Sequence, residues 1–360
     1  MKLNLQCPLG TTGYGITSVN ILKGLHNLGV DISLFPMSTQ NIQLNNDIEK
    51  AIVQETYGNA QNFDYKAPCL KIWHQFDLAQ RIGSGPYFSH VFFEVDQLTD
   101  QERVHLNSCD GIFVSSEWAK QVLIDNGVVK PVYVAPLAVD LDIFKDERRI
   151  KIEDPQQPYV FFHIGKWETR KAHDFLIQCF NNTFSQTDNV ELWLLPANPF
   201  LNAEETAQWE NLVKLSPLQK KIKIFERLPT QHHLAQYISL GHCGVFLSRA
   251  EGWNNSILES MALNKPIIAT NYSAHTQYCT KDNSFLVDID ELEVANDGKW
   301  FFGTGKWAKL GEKQFQQTKQ YMRHCYENRI VYNAHGLGTC KKFTWENTAK
   351  IIKETIEKCQ

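Results

Sequence analysis

The chain has 360 residues, 43% of them hydrophobic and 21% charged, with a formal net charge of −4. One hydrophobic core rarely grows past about 250 residues, so two domains are expected, each able to bury a sizeable core. The balanced charge, without any block of Lys or Arg, gives no reason to expect a nucleic-acid partner and leaves at most weak peripheral contact with a membrane.

Short apolar runs alternate with amphipathic stretches, the pattern of parallel βαβ units and of an α/β fold. In the first half strands are predicted over Leu3–Leu5, Asp31–Phe35, Leu70–Trp73, His90–Val95, Gly111–Val114 and Val132–Val134. Helices are predicted over Ile16–Leu28, Asn46–Glu55 and Ser116–Asn126. Lys145–Pro158, rich in charge, Gln and Pro, reads as a hinge. The pattern then restarts, with strands over Tyr159–Ile164, Val190–Leu195, Lys221–Phe225, Gly244–Leu247, Pro266–Ala269 and Phe285–Val287. Its helices fall over Arg170–Phe180, Glu204–Lys214, Gln231–Ile238, Ser256–Leu263 and Lys306–Asn328, and Trp345–Lys358 forms a last helix capped by Thr344.

Residues 1–150 hold 12 Lys+Arg against 17 Asp+Glu, and the remainder 24 against 23, so the second half tolerates anions better. The nine cysteines are scattered without a Cys-x-x-Cys pair, which argues against a disulfide framework or a zinc knuckle and makes a reducing cytoplasm the expected setting. Polar residues arrive too early for a secretory leader, and no run of about 18 apolar residues is present to span a bilayer.

The most informative stretch is Ser248–Thr270, which holds Glu251 before a predicted helix and Glu259 inside it. A strand, a turn and a helix leave the first helical N–H groups unpaired at the carboxyl edge of a sheet, where an anion such as a diphosphate is favoured. Trp253, Asn254, Asn255 and Ser256 surround that terminus. The carboxylates would repel a diphosphate, so hydroxyls of a sugar and a ribose are their expected partners, and a nucleotide-sugar fits both demands. A competing reading takes Ser256 and Glu259 as a capping box.

Gly165, Lys166, Arg170 and Lys171 close the first strand of the second half. Lys166 and Lys171 are placed to converge on phosphates, against the alternative of a solvated charged turn, to which Arg170 is assigned. In the first half, Gly13 and Gly15 lie in a glycine-rich turn after the first strand. They either let backbone approach a ligand or form a plain structural loop. Phe35-Pro36-Met37 supplies no acidic residue where a dinucleotide site would have one. His74 and Glu94 end predicted strands, positioned to orient a sugar or an acceptor hydroxyl or merely solvated there. His232, His233, His242 and Cys243 are not read as a metal site, because two precede a helix and two lead a buried strand.

Together these residues resemble the retaining glycosyltransferases of the GT-B fold, family GT4 (glycosyl transferases group 1). The likeness is strongest from Tyr159 to Leu286. The family's Glu-x7-Glu motif is matched by Glu251 and Glu259, and its Gly-Arg-x4-Lys-Gly motif by Gly165-Lys166 and Lys171-Ala172, with Lys166 in place of Arg. Asn254 stands where the family has glycine, and Glu94 lies near the place of the family's sugar-orienting His.

The resemblance implies two Rossmann-like, doubly wound parallel-sheet domains facing a central cleft: 1–148 on the acceptor side and 149–335 on the donor side. A terminal helical segment, 336–360, is left open to return to the first. It implies a metal-independent transfer, without cofactor, from a UDP-, GDP- or ADP-sugar to a hydroxyl acceptor such as a glycan, a lipid-linked glycan or a small molecule. Glu251 would contact the donor sugar and Glu259 the ribose, and cell-surface glycan assembly is the usual setting. Closure about residues 145–158 would exclude water. The rival expectations are an epimerase or phosphorylase of the same fold and an inactive nucleotide-sugar-binding subunit.

Overall fold

A computed structural model describes residues 1–10, 12–37, 44, 46–145 and 156–359. Residues 146–155, most of the expected hinge, lie outside the described residues, as does residue 11 of the glycine-rich turn. The chain divides into two compact units, one formed by Met1–Val139 with Lys342–Gln360 and the other by Asp140–Lys341.

The first unit runs β1 (Lys2–Cys7), α1 (Gly13–Asn27), β2 (Asp31–Pro36), α2 (Asp47–Asn59), β3 (Cys69–Ile72), β4 (Tyr87–His90), α3 (Asp100–Asn107), β5 (Gly111–Val114), α4 (Glu117–Asp125) and β6 (Val132–Val134). All six strands are parallel, in the order β2-β1-β3-β4-β5-β6. β3, β4 and β5 are buried along their whole length, as parallel strands covered on both faces must be.

The second unit continues with β7 (Tyr159–Ile164), α5 (His173–Thr183), β8 (Val190–Leu195), α6 (Ala203–Lys214), β9 (Ile222–Ile224), α7 (Gln231–Leu240), β10 (Cys243–Phe246), α8 (Asn255–Ala262), β11 (Ile267–Asn271) and β12 (Phe285–Asp288). A hairpin of β13 (Leu292–Asn296) and β14 (Phe302–Ala308) follows, then α9 (Glu312–Glu327) and α10 (Ala334–Cys340). Its sheet is also all parallel, ordered β12-β11-β10-β7-β8-β9. The core beneath it includes Tyr159, Phe161, Phe180, Leu192, Val245 and Ile268, each fully buried Leu, Ile, Val or Phe being worth about 1.5–3 kcal/mol. The last helix, α11 (Trp345–Lys358), packs on α1 of the first unit: a Cβ on Gly24 would lie 2.7 Å from that of Ala349, so only glycine allows the approach.

Three predicted elements differ. The strand expected over His90–Val95 ends at His90, because its neighbours β3 and β5 stop at Ile72 and Val114. Glu94 is therefore four residues past a strand and not at its end. The helix expected from Lys306 starts at Glu312, and Lys306–Ala308 belong to the hairpin. The helix expected from Arg170 starts at His173, since Ala172 is left-handed at φ 55° and interrupts a single turn over Thr169–Lys171. Among the described residues no helix is long and apolar enough to cross a membrane, and no cysteine is disulfide-bonded.

Candidate functional site

In the second sheet the chain order reverses between β7 and β10, which lie side by side. β7 leads outward to β8 and β10 leads the opposite way to β11, so their following loops diverge and leave a crevice at the carboxyl edge. The loop after β7 carries Gly165, Lys166, Arg170 and Lys171, and the loop after β10 carries Glu251, Trp253 and Asn254. The two loops are tied together: the N–H of Arg249 donates to the carbonyl of Arg170 at 2.7 Å.

Arg170, assigned from sequence to a solvated turn, is instead buried and organises the site. Its Nη1 donates to the Ala250 carbonyl at 2.7 Å and to Glu251 Oε2 at 2.8 Å. Its Nε and Nη2 reach the two oxygens of Glu168 at 3.1 and 3.3 Å. Lys171 Nζ donates to Glu251 Oε1 at 2.5 Å. Burial alone would raise the Glu251 carboxyl, but the charges of Arg170 and Lys171 outweigh it and hold the group well below the usual carboxylate range. Two cations thus face two buried carboxylates, Glu168 and Glu251, and the cluster is electroneutral when all four are charged.

Gly165 fits closely in this packing, since a Cβ there would lie 3.0 Å from His163 Nε2 and 3.2 Å from Lys171 Cδ and would press on both. The stem of Lys171 crosses Gly165 and aims its ammonium at Glu251. Lys166 points elsewhere, over the Phe200 ring at 5.1 Å. The two lysines read as phosphate partners are therefore directed at different groups.

α8 begins at Asn255, and its N-cap residue Asn254 is left-handed at φ 82°. Asn and Gly tolerate that conformation best, so asparagine and glycine are interchangeable here in backbone terms. No side chain caps the helix. The capping box allowed by Ser256 and Glu259 is not formed, because Ser256 is inside the first turn. The Asn254 amide instead donates to His275 Nε2 at 3.1 Å, while His275 Nδ1 donates to the Thr270 carbonyl at 3.0 Å. Burial lowers the His275 imidazole to about 4, so it is a neutral acceptor at physiological pH.

Tyr278 donates to the Trp253 and Asn254 carbonyls at 2.5 and 3.1 Å and packs against the Trp253 indole. Ser273 Oγ accepts the Glu251 N–H at 2.8 Å. Asn255 Oδ1 is buried without a hydrogen-bond partner. Glu259 is buried on α8, and burial pushes its carboxyl up to about 8 against a lowering hydrogen bond with Ser256.

Beneath the loop, His163 Nδ1 donates to the Val245 carbonyl at 2.7 Å and His173 Nε2 to the Gly165 carbonyl at 3.0 Å. Burial brings His163 down to about 4 and His173 well below its ordinary value. Ser273, Tyr278, His163 and His275 are not legible in the sequence, since their partners Glu251, Trp253, Val245 and Asn254 lie 22, 25, 82 and 21 positions away, and nothing local marks His173 as buried. His242, by contrast, accepts the Val160 N–H at 3.0 Å through Nδ1.

In the first unit the start of α1 meets the loops after β3 and β4. The Tyr14 ring packs on Trp73, His74 and Phe92, with His74 at 4.6 Å, and its hydroxyl donates to the Phe92 carbonyl at 3.1 Å. His74 also stacks on Phe76. Burial raises the Tyr14 phenol, and the charge of Glu94 adds to it, so Tyr14 links the surroundings of His74 and Glu94. Gly13 has open space where a Cβ would stand, whereas a Cβ on Gly15 would lie 2.1 Å from the Gly10 carbonyl oxygen. Gly15 is thus explained by loop packing.

Residues 158–297 match the family described as Glycosyl transferases group 1. Over 210 residues the chain is 27% identical to an uncharacterized glycosyltransferase of Methanocaldococcus jannaschii, covering 54% of this chain and 48% of that protein. The match thus spans about half the length of that curated relative. Among solved structures, sucrose-phosphate synthase from Thermosynechococcus elongatus superposes with a TM-score of 0.73 at 13% identity, covering 100% of this chain and 99% of that one. Anabaena HepE, solved in complex with UDP-glucose, gives a TM-score of 0.67 at 15% identity, covering 99% and 100%. Identities this low speak for the fold: two parallel six-stranded α/β units, as in GT-B glycosyltransferases.

Proposed function

We propose that the protein is a retaining, metal-independent glycosyltransferase that moves a sugar from a nucleotide-sugar to an acceptor hydroxyl, in assembly of a cell-surface glycan or other glycoconjugate. The observation that carries this reading is the buried, ionised Glu251, shared by Arg170 and Lys171 at the switch point of the second sheet. The donor diphosphate lies on the uncapped N-terminus of α8, where backbone N–H groups and the helix dipole favour it, with Lys171 shared between it and Glu251 and Lys166 turning to it from the Phe200 ring. Glu251 accepts from a hydroxyl of the donor sugar and Glu259 bonds the ribose. Neither carboxyl repels the diphosphate strongly: Glu251 has two counter-charges, and Glu259 stays protonated up to about pH 8.

As the bond from anomeric carbon to diphosphate oxygen breaks, these donors stabilise the charge gathering on the leaving group. The acceptor oxygen bonds to the anomeric carbon on the same face, and its proton passes to a donor phosphate oxygen. His74 and Glu94 orient the acceptor, and Gly13 and Gly15 shape the turn beside them. The match to Glycosyl transferases group 1 and the UDP-glucose of the Anabaena relative support a nucleotide-sugar, with UDP-sugars to be tried before GDP- and ADP-sugars.

A thermal-shift panel of UDP-, GDP- and ADP-sugars, followed by turnover with the stabilising donor and a set of sugar acceptors, tests this directly, because a ligand that binds the native state raises its stability by mass action. One donor should stabilise the protein and be consumed only with an acceptor, with the anomeric configuration kept and EDTA without effect. Turnover dependent on free phosphate, or epimerised donor without acceptor, would overturn it, as would donor binding with no transfer to any acceptor.

A further inference from the structure

Beside the second-unit loops stands a pair of aromatic rings that the proposed chemistry does not use. Phe200, in the loop after β8, is 51% exposed, and Trp300, at the tip of the β13–β14 hairpin, is 44% exposed. Their centroids are 5.7 Å apart at 72°, and Lys299 Nζ lies over the Trp300 ring at 5.7 Å. Exposed aromatic side chains on a mobile loop would signify little, but both of these are held in place. The Asp297 carboxylate accepts the N–H groups of Lys299, Trp300 and Phe301 at 3.0, 2.8 and 2.9 Å. Lys299 is ion-paired to Glu205 at the start of α6. Asn198 Oδ1 accepts the Phe200 N–H at 3.0 Å, and its amide donates to the Trp167 carbonyl at 2.8 Å, tying this loop to Gly165–Lys171. Lys166 itself lies over the Phe200 ring. The hairpin is fixed from below as well, by the ion pair of Arg249 with Glu293 and by the Ala308 N–H donating to the Arg249 carbonyl at 2.9 Å.

We infer that Phe200 and Trp300 form a saccharide-binding platform that takes a pyranose ring of an oligosaccharide, next to the loop carrying Lys166. The substrate class rests on the glycosyltransferase reading. The negative face of an aromatic ring attracts the C–H face of a sugar, and fixing both rings beforehand lowers the ordering cost of binding. The surrounding charges select a sugar over a bilayer: the cations of Lys166 and Lys299, one over each ring, are balanced by the carboxylates of Glu205 and Asp297, so the patch carries no net positive charge to hold an anionic lipid surface.

The test uses the full chain labelled with 5-fluorotryptophan, the Trp300 resonance being assigned with W300F. Maltotetraose, cellotetraose and chitotetraose are titrated separately, and UDP binding is measured on the same samples. At least one oligosaccharide should shift the Trp300 signal and bind in the millimolar range or tighter. W300A and F200A should each weaken it tenfold or more, W300F should retain most of it, and UDP affinity should stay within twofold throughout. Absence of any Trp300 shift overturns the inference, as does undiminished oligosaccharide affinity in W300A. A Trp300 response to phosphatidylcholine/phosphatidylglycerol vesicles in place of sugars overturns it too. Failure of UDP to bind while the oligosaccharide binds would instead count against the donor site alone.

Discussion

Replacing Arg170 by methionine tests the buried charge cluster most severely. The residue is 5% exposed, and its guanidinium donates twice to Glu168, once to Glu251 and once to the Ala250 carbonyl. Methionine keeps much of the volume but leaves Glu168 without the guanidinium it grips and Glu251 with Lys171 as its remaining close cation. Removing one member of a buried ion pair typically costs about 3–5 kcal/mol, because the charge left behind stays desolvated. For a unit the size of Asp140–Lys341, about 2–4 °C per kcal/mol turns that into a drop in Tm of roughly 6–20 °C. R170K, which keeps the charge and loses the planar fork, should fall between wild type and R170M. E168Q/R170M should recover part of the loss by removing an orphaned carboxylate. Denaturant unfolding followed by circular dichroism, paired with donor turnover, reads all three. An R170M loss below about 1 kcal/mol with unchanged turnover would show that the cluster does not hold the two loops, since that is the scale of an ordinary substitution.

Three further outcomes follow from the same geometry. Because Glu259 is raised to about 8 from 4.5, its contribution to stability is complete below about pH 4.5 and is lost as pH rises to 8; E259Q should remove that alkaline decline and keep donor turnover at pH 7, whereas E259A should reduce turnover strongly, and equal turnover in both would refute its role. His90, His163 and His275 are lowered to about 3, 4 and 4 by burial, so their contribution is present above pH 6.5 and lost as pH falls toward those values; three such groups outweigh the opposing Glu259, Tm should fall from pH 6.5 to 4.5, and a flat profile would contradict their burial. At Asn254, N254A should cost about 1–2 kcal/mol for a left-handed alanine while N254G loses less, and the reverse order in thermal unfolding would contradict the φ of 82°.

Much of the fold could be read from local pattern. Tyr159–Ile164, Val190–Leu195, Gly111–Val114 and Val132–Val134 are strands over the expected residues, being compact β-branched and aromatic runs bounded by breakers. The β13–β14 hairpin could not be read in this way: Leu292, Val294 and Phe302 face solvent while Ala295, Trp307 and Ala308 are buried, so hydrophobicity does not mark its inner face and Lys306–Ala308 merge into the next helical pattern. α3 buries little beyond Leu106, so hydrophobic periodicity does not mark it, although its capping box of Thr99 and Glu102 is a legible signal. In the candidate site, the motif spacing singled out Glu251, Glu259 and Lys171, and the structure sets Lys171 against Glu251. Arg170 was set aside because sequence shows a charge without its burial, and its partners Ala250 and Glu251 are 80 and 81 positions away.

The most direct measurement is a crystal structure of the protein soaked with UDP. The expected result is diphosphate density at the carboxyl ends of β7 and β10, within hydrogen-bond distance of the N–H groups opening α8 and of Lys166 or Lys171, with Glu259 on the ribose. UDP bound anywhere else, or absent at millimolar concentration, would contradict the assignment of that crevice as the donor site.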